Sequence, residues 1–187
     1  MLEDTLKYTD TDIDGVTVVD IEPYNDERGF FAMSFCADEF AKHGLDSTVA
    51  QVNFAYNHAR GTLRGLHRQM PPYAEAKLVR CTRGAIFAVA VDVRPESKTF
   101  GHHVAVDLTA ENRRALFVPP YVGHGFQTLA DDTEVMHQVS GPYEPRGEQG
   151  FRWDDPKFGI SWQLPITVIS DKDTSWRPIT EVGYVSR

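Results

Sequence analysis

Apolar and polar residues alternate over short stretches through most of this chain. The segments DGVTVVDI (14–21), TVAQVNFAYN (48–57), KLVRCT (77–82), AIFAVAVDV (85–93), HHVAVDL (102–108), ALFVPP (115–120), GFQTLA (125–130) and EVMHQV (134–139) are rich in Val, Phe and Thr, and Gly, Pro or acidic residues separate them. A period of two in β-branched and aromatic residues predicts strands. Only DEFAKHG (38–44) reads as a helix, a brief one, with Asp38 as its N-cap and Gly44 at its end. Strands recurring without long helices between them favour antiparallel pairing, because parallel strands need long crossovers. The expected fold is mostly β, a jelly-roll barrel or sandwich with a few short helices. SGPYEPRGEQGFRWDDPKFG (140–159) reads as a long surface excursion ahead of a last segment, ITVISDKD (166–173). Long ordered loops often carry function.

Composition narrows this picture. A chain of 187 residues, 41% hydrophobic and 25% charged, suits one folded domain over 1–187. No apolar run approaches the ~20 residues that span a bilayer, and MLEDTLKYTD lacks the basic-then-apolar order of a secretion signal, so a cytoplasmic protein without membrane contact is expected. Cys36 and Cys81 are too few for a disulfide framework and read as reduced thiols. With 19 Lys and Arg against 27 Asp and Glu, a net charge of −8 speaks against a nucleic-acid binder. A local basic pocket is still compatible with it.

RGTLRGLHRQMPP (60–72) is the densest candidate for chemistry. Strand parity puts Leu63, Gly65, His67 and Gln69 on one face and Arg64 and Arg68 on the other. Taken alone, an inward histidine in such a strand is more often a hydrogen-bonded core residue than a catalyst. A metal centre is not expected: the stretch has LHRQ rather than an HxH pair, and the adjacent His102 and His103 point to opposite faces of a strand.

Taken together, RGTLRGLHRQMPP, AKLVRCTRGAIFAVAVDVRPESKTFG, PPYVGHGFQTL, RWDDPKFGISWQLP and ISDKD resemble the dTDP-4-dehydrorhamnose 3,5-epimerase family, in order and from about residue 12 to 180. The resemblance implies a cupin-type jelly roll, a homodimer without metal or organic cofactor, and a nucleoside-diphosphate 4-keto-6-deoxyhexose as substrate. It makes His67 the general base, Asp173 the carboxylate that orients it, and Lys77 the cation beside the C4 oxygen. It makes His124 a site histidine, brings Arg28 and Arg64 to the diphosphate or nucleotide, and has Phe31, Gln51, Asn53 and Tyr143 line the pocket. An imidazole with an ordinary pKa of ~6.5 suits proton removal at neutral pH. Parity conflicts with one of these placements, since it turns Arg64 away from His67 unless a bulge or twist at Gly65 intervenes.

Three positions depart from the family pattern. His137 stands where the family has a tyrosine thought to protonate the opposite face of the sugar, Ala88 replaces an aspartate, and Met33 replaces a glutamate near the nucleotide. Alternation turns both His137 and Ala88 toward the lumen. Three outcomes follow: inversion at both C3 and C5 with His137 as acid, inversion at one centre or on another nucleotide sugar, or binding without inversion.

Overall fold

A computed structural model describes residues 5–181 as two packed antiparallel sheets. The six-stranded sheet runs β1 (Leu6–Asp10), β2 (Thr17–Ile21), β10 (Ala115–Val118), β7 (Lys77–Arg83), β12 (Thr133–Val139) and β5 (Gln51–Asn57). The five-stranded sheet runs β13 (Glu148–Gly150), β6 (Leu63–Gln69), β11 (Val122–Thr128), β8 (Ala85–Asp92) and β9 (His103–Thr109). A separate hairpin, β3 (Tyr24–Asp26) and β4 (Gly29–Phe31), stands apart from both sheets, and the helices α1 (Ala37–Lys42) and α2 (Asp171–Thr174) are short. The expected mostly-β sandwich is what forms.

Side-chain period explains the layers. Val79, Leu116, Val118 and Val135 from one sheet meet Ile86, Ala88, Leu108 and Phe126 from the other in the central core. Alternate residues of the same strands face outward and are covered as well. Leu78 and Phe117 pack under Phe40 of α1, while Val89, Val91 and Leu66 pack under Phe151, Phe158 and Ile179. Strand β8 reads as a nearly continuous apolar run because neither of its faces meets water.

Two local expectations change. Cys36, not Asp38, is the N-cap of α1, and it makes no side-chain cap bond; Asp38 lies in the first turn, where its charge still suits the helix dipole. Residues 140–159 are not a mere surface excursion. Phe151 and Phe158 anchor the outer core, and β13 pairs with β6.

The conflict over Arg64 is resolved in β6. His67 faces His124 and Arg64 faces Phe126, so three steps on β6 match two on β11, which is a bulge. Gly65 sits in it with φ +117°, and the Gly65–Leu66 peptide is cis. A Cβ on Gly65 would lie 2.6 Å from the Gly125 Cα, so only glycine fits between these strands. Past the bulge, Leu66 turns into the outer core, and Arg64 and His67 line the same cavity.

Candidate active site

One end of the sandwich opens into a cavity of about 650 Å³. Its two walls come from the two sheets. On the five-stranded side, His67 Nε2 lies 2.5 Å from Asp173 Oδ1. The late aspartate reaches β6 because the last segment runs beside it: Thr167 N donates to Gly61 O at 3.0 Å and Leu63 N to Val168 O at 2.8 Å. Ser170 then caps α2 by accepting from Asp173 N, which turns the Asp173 side chain inward. Burial pushes the Asp173 carboxyl upward, but the hydrogen bond and charge of His67, with Ser170 and the Gly65 N–H, outweigh it and hold the group below the usual carboxylate range. An ionised carboxylate only accepts, so Nε2 of His67 carries the proton of this hydrogen bond.

Glu148 stands on the other side of that imidazole, with Oε1 3.8 Å from Nδ1. It accepts from Lys172 Nζ at 2.9 Å and from the Tyr143 hydroxyl at 2.9 Å. Burial raises its carboxyl, and Lys172, Tyr143 and His67 more than reverse the effect. Pattern reading missed Glu148, although it lies in the excursion marked as a functional loop; its pairing with β6 through β13 could not be read from spacing.

The six-stranded wall presents polar residues to the cavity in rows. His137 on β12 pairs with Asn53 on β5 and Val79 on β7, and Val139 pairs with Gln51 and Lys77. Asn53, Lys77 and His137 line the cavity directly. Gln51 works one step back, its Oε1 accepting from Tyr143 N at 2.8 Å. The His137 ring rests edge-on to His124, 5.9 Å between centroids, and 6.1 Å from Phe126, and it has no hydrogen-bond partner among the described residues. Burial, then the positive charges of Lys77 and Arg64, push its pKa down to about 4. His124, 5% exposed, is driven well below the ordinary histidine value by burial first and by His137, Lys77 and His67 after it. Both imidazoles are therefore neutral at pH 7.

Among the described residues, Arg64 is a cavity cation without a carboxylate. Its Nε donates to Asn57 Oδ1 at 2.7 Å and its Nη2 to the Tyr56 carbonyl at 3.4 Å, and the residue is exposed where it borders the cavity. Arg68 also borders the cavity but is committed to Gln149 and the Tyr121 carbonyl, and burial lowers its pKa to about 10. Arg28 and Phe31 do not reach this cavity. They sit on the exposed β3–β4 hairpin, where Arg28 pairs with Asp26. Met33 lies on the same side of the molecule, against Thr5. Ala88 faces the interior between the sheets with Ile86 and Ala90, as alternation predicts, but it is enclosed in the packed core opposite Phe126 and does not line the cavity. No group of three or more His, Cys, Asp or Glu among the described residues is disposed to hold a metal ion.

The family model described as dTDP-4-dehydrorhamnose 3,5-epimerase matches residues 10–181. The chain belongs to that family. It is 41% identical over 180 residues to the dTDP-4-dehydrorhamnose 3,5-epimerase of Sinorhizobium fredii, covering 96% of this chain and 92% of the relative. Among solved structures, the dTDP-6-deoxy-D-glucose-3,5-epimerase of Legionella pneumophila, in complex with dTDP-4-keto-L-rhamnose, superposes with a TM-score of 0.89 at 33% identity and 95% coverage of both chains. The 3′-monoepimerase ChmJ of Streptomyces bikiniensis, in complex with dTDP-quinovose, superposes with a TM-score of 0.85 at 35% identity, over 91% of this chain and 86% of that one. This member of the epimerase family has the cupin-type jelly roll of its relatives.

Proposed function

We propose that this protein epimerises a dTDP-linked 4-keto-6-deoxyhexose through an enolate, in deoxysugar biosynthesis. The observation that carries the reading is the His67–Asp173 pair, at 2.5 Å, facing a wall that bears Lys77 and His137. A ketone at C4 acidifies the C–H bonds at C3 and C5. The Nδ1 lone pair of His67 takes one of these protons, and the C–H electrons move into the ring to place negative charge on the C4 oxygen. The imidazolium so formed keeps its hydrogen bond to Asp173, and the Lys77 ammonium meets the oxygen's charge in a site shielded from water. Return of a proton from the opposite wall inverts the carbon. Arg64 at the mouth suits the diphosphate, because a guanidinium fork matches phosphate oxygens, and Tyr143 offers a ring to the base. No step calls for a metal or an organic cofactor.

A second reading, inversion at a single centre, rests on His137. A neutral imidazole that gives up its N–H becomes an imidazolate, a poor state to leave behind. It acts as an acid only when protonated, and its surroundings oppose that. NMR in deuterium oxide with dTDP-4-keto-6-deoxyglucose tests both readings. Deuterium at C3 and C5 with both centres inverted supports the first, and inversion at one centre supports the second. No exchange with any 4-keto sugar nucleotide would mean a binding protein. His67→Ala removes the base, and exchange is expected to fall at least ~100-fold, in line with general base catalysis.

We also infer a homodimer. Strand β5 inverts the usual pattern, with polar Asn53 lining the cavity and Val52, Phe54 and Tyr56 exposed. It is an edge strand, and the protruding hairpin adds exposed Tyr24 and Phe31. A second copy that covers this surface takes up the apolar face, and it lets the hairpin carry Arg28 and Phe31 to the other copy's cavity. Two free thiols, one of them buried Cys81 with its pKa raised to about 11 by burial, suit the cytoplasm. Among the described residues, no helix is long and apolar enough to cross a membrane.

A further inference from the structure

The enolate-stabilising lysine has a partner. Glu75, two residues ahead of Lys77, is 7% exposed, and its Oε1 accepts from the Lys77 ammonium. Its other oxygen, Oε2, is buried and makes no hydrogen bond. Both residues line the cavity. The backbone that carries them is clamped from across the sheet, where Ala76 N donates to Ser140 Oγ at 2.9 Å and Ser140 N donates back to Ala76 O at 3.0 Å.

A half-satisfied buried carboxylate is a poor stabiliser. Ion pairs in protein interiors seldom contribute more than hydrocarbon of the same volume, and an acceptor left without a donor adds a penalty. Lysine, in turn, is a point charge on a flexible four-carbon stem with much rotamer freedom to lose. Electrostatic stabilisation of an oxyanion works through charges fixed before the reaction begins, so a free-swinging ammonium loses much of its effect. His124 on the facing sheet and His137 on the neighbouring strand do not fix it, because among the described residues neither is hydrogen-bonded to Lys77.

We infer that Glu75 is a positioning residue for the reaction, holding the Lys77 ammonium where the C4 oxygen gathers charge. The inference rests on the enolisation proposed above. It separates the geometry of the grip from the charge of the gripping group. Gln at position 75 still offers an amide oxygen to the ammonium, whereas Ala offers nothing.

A double-mutant cycle on deuterium exchange from dTDP-4-keto-6-deoxyglucose tests it, with kcat taken per folded enzyme by near-UV circular dichroism. Glu75→Ala is expected to lower kcat ~10- to 100-fold while the dissociation constant for dTDP alone stays within ~3-fold, since the nucleotide lies toward the Arg64 end. Glu75→Gln is expected to recover activity to within ~5-fold of wild type. In a Lys77→Ala background, adding Glu75→Ala should cost no further activity, because residues that act as a unit are not additive. Additive losses, or an unchanged kcat in folded Glu75→Ala, would overturn the inference and leave the epimerase reading standing. If Glu75→Ala does not fold, a Glu75→Gln variant as inactive as Lys77→Ala would overturn it equally. A wild-type chain that exchanges nothing would remove the reaction, and this inference with it.

Discussion

In the reaction proposed above, His137 is the residue on which the stereochemical outcome turns. Its imidazole lines the opposite wall from His67 without a hydrogen-bond partner among the described residues, and burial first, then Lys77 and Arg64, keeps it neutral. Tyrosine at that position holds its proton up to a pKa of ~10 and donates it at neutral pH without first having to be charged. His137→Tyr is therefore expected to raise the ratio of inversion to exchange on the face it lines, read by deuterium NMR together with product stereochemistry. An unchanged ratio would mean that residue 137 is not the opposite-face acid. Stability responds to the same group. The unfolded chain binds a proton at this residue once the pH falls below ~6.5, while the folded chain resists until about 4, so stability declines across that window as acid is added. The loss from His137 amounts to at most about 3 kcal/mol at pH 4. Urea melts at pH 7 and pH 4 should show a smaller acid penalty for His137→Tyr than for wild type.

At the scale of elements, β6 shows both what a pattern reveals and what it hides. Its strand character and its histidine were legible from RGTLRGLHRQ, and so was the need for a bulge, because the family resemblance and strict parity disagreed about Arg64. The bulge forms at the glycine where that conflict pointed. Gly65→Ala should expose the constraint. With φ at +117° and a new Cβ 2.6 Å from the Gly125 backbone, the strand pair must separate or the bulge must vanish. A loss of ~3 kcal/mol or more is expected in chemical denaturation, and exchange should fall even in the folded fraction, since the change displaces Arg64 relative to His67. The eight long alternating segments were readable from their period of two, which in most of them buries at least one face; β5, exposed along nearly all its length, kept the period without the burial. The three-residue strands were not, because β3, β4 and β13 are held by partners rather than by their own apolar period. Asp173 was placed by resemblance alone: a lone aspartate in SDKD carries no periodic signal, and only the hydrogen bonds that tie residues 167 and 168 to β6 bring it to His67. Glu75 and Glu148 escaped for the same reason. Glu148 opens β13 and Glu75 lies two residues ahead of β7, where neighbours in space rather than in sequence decide what a carboxylate does.

At the scale of the whole molecule, the cavity of one chain holds His67, Asp173, Lys77 and the facing His137, but Arg28 and Phe31 point elsewhere. The exposed face of β5 supplies a reason. A lone chain leaves Val52, Phe54 and Tyr56 in water beside an unpaired strand edge, a combination that proteins cover or block with charge. Phe54, 63% exposed and central on that face, is the natural anchor for a second copy. A glutamate there places a charge in the middle of an apolar contact, and losing a central aromatic anchor typically weakens association by ~2 kcal/mol or more, about 30-fold. Phe54→Glu is expected to sediment as a monomer at micromolar concentration where wild type sediments as a dimer. Its unfolding should be nearly unchanged at equal folded mass, because Phe54 packs against nothing within its own core clusters. The effect on catalysis then separates the two roles of the hairpin. If Arg28 and Phe31 serve the partner's cavity, monomeric Phe54→Glu loses affinity for the nucleotide sugar and raises KM, while exchange at saturating substrate persists because His67, Asp173 and Lys77 all come from one chain. A monomer with wild-type KM would detach the hairpin from the site, and a wild-type chain that sediments as a monomer would remove the dimer itself.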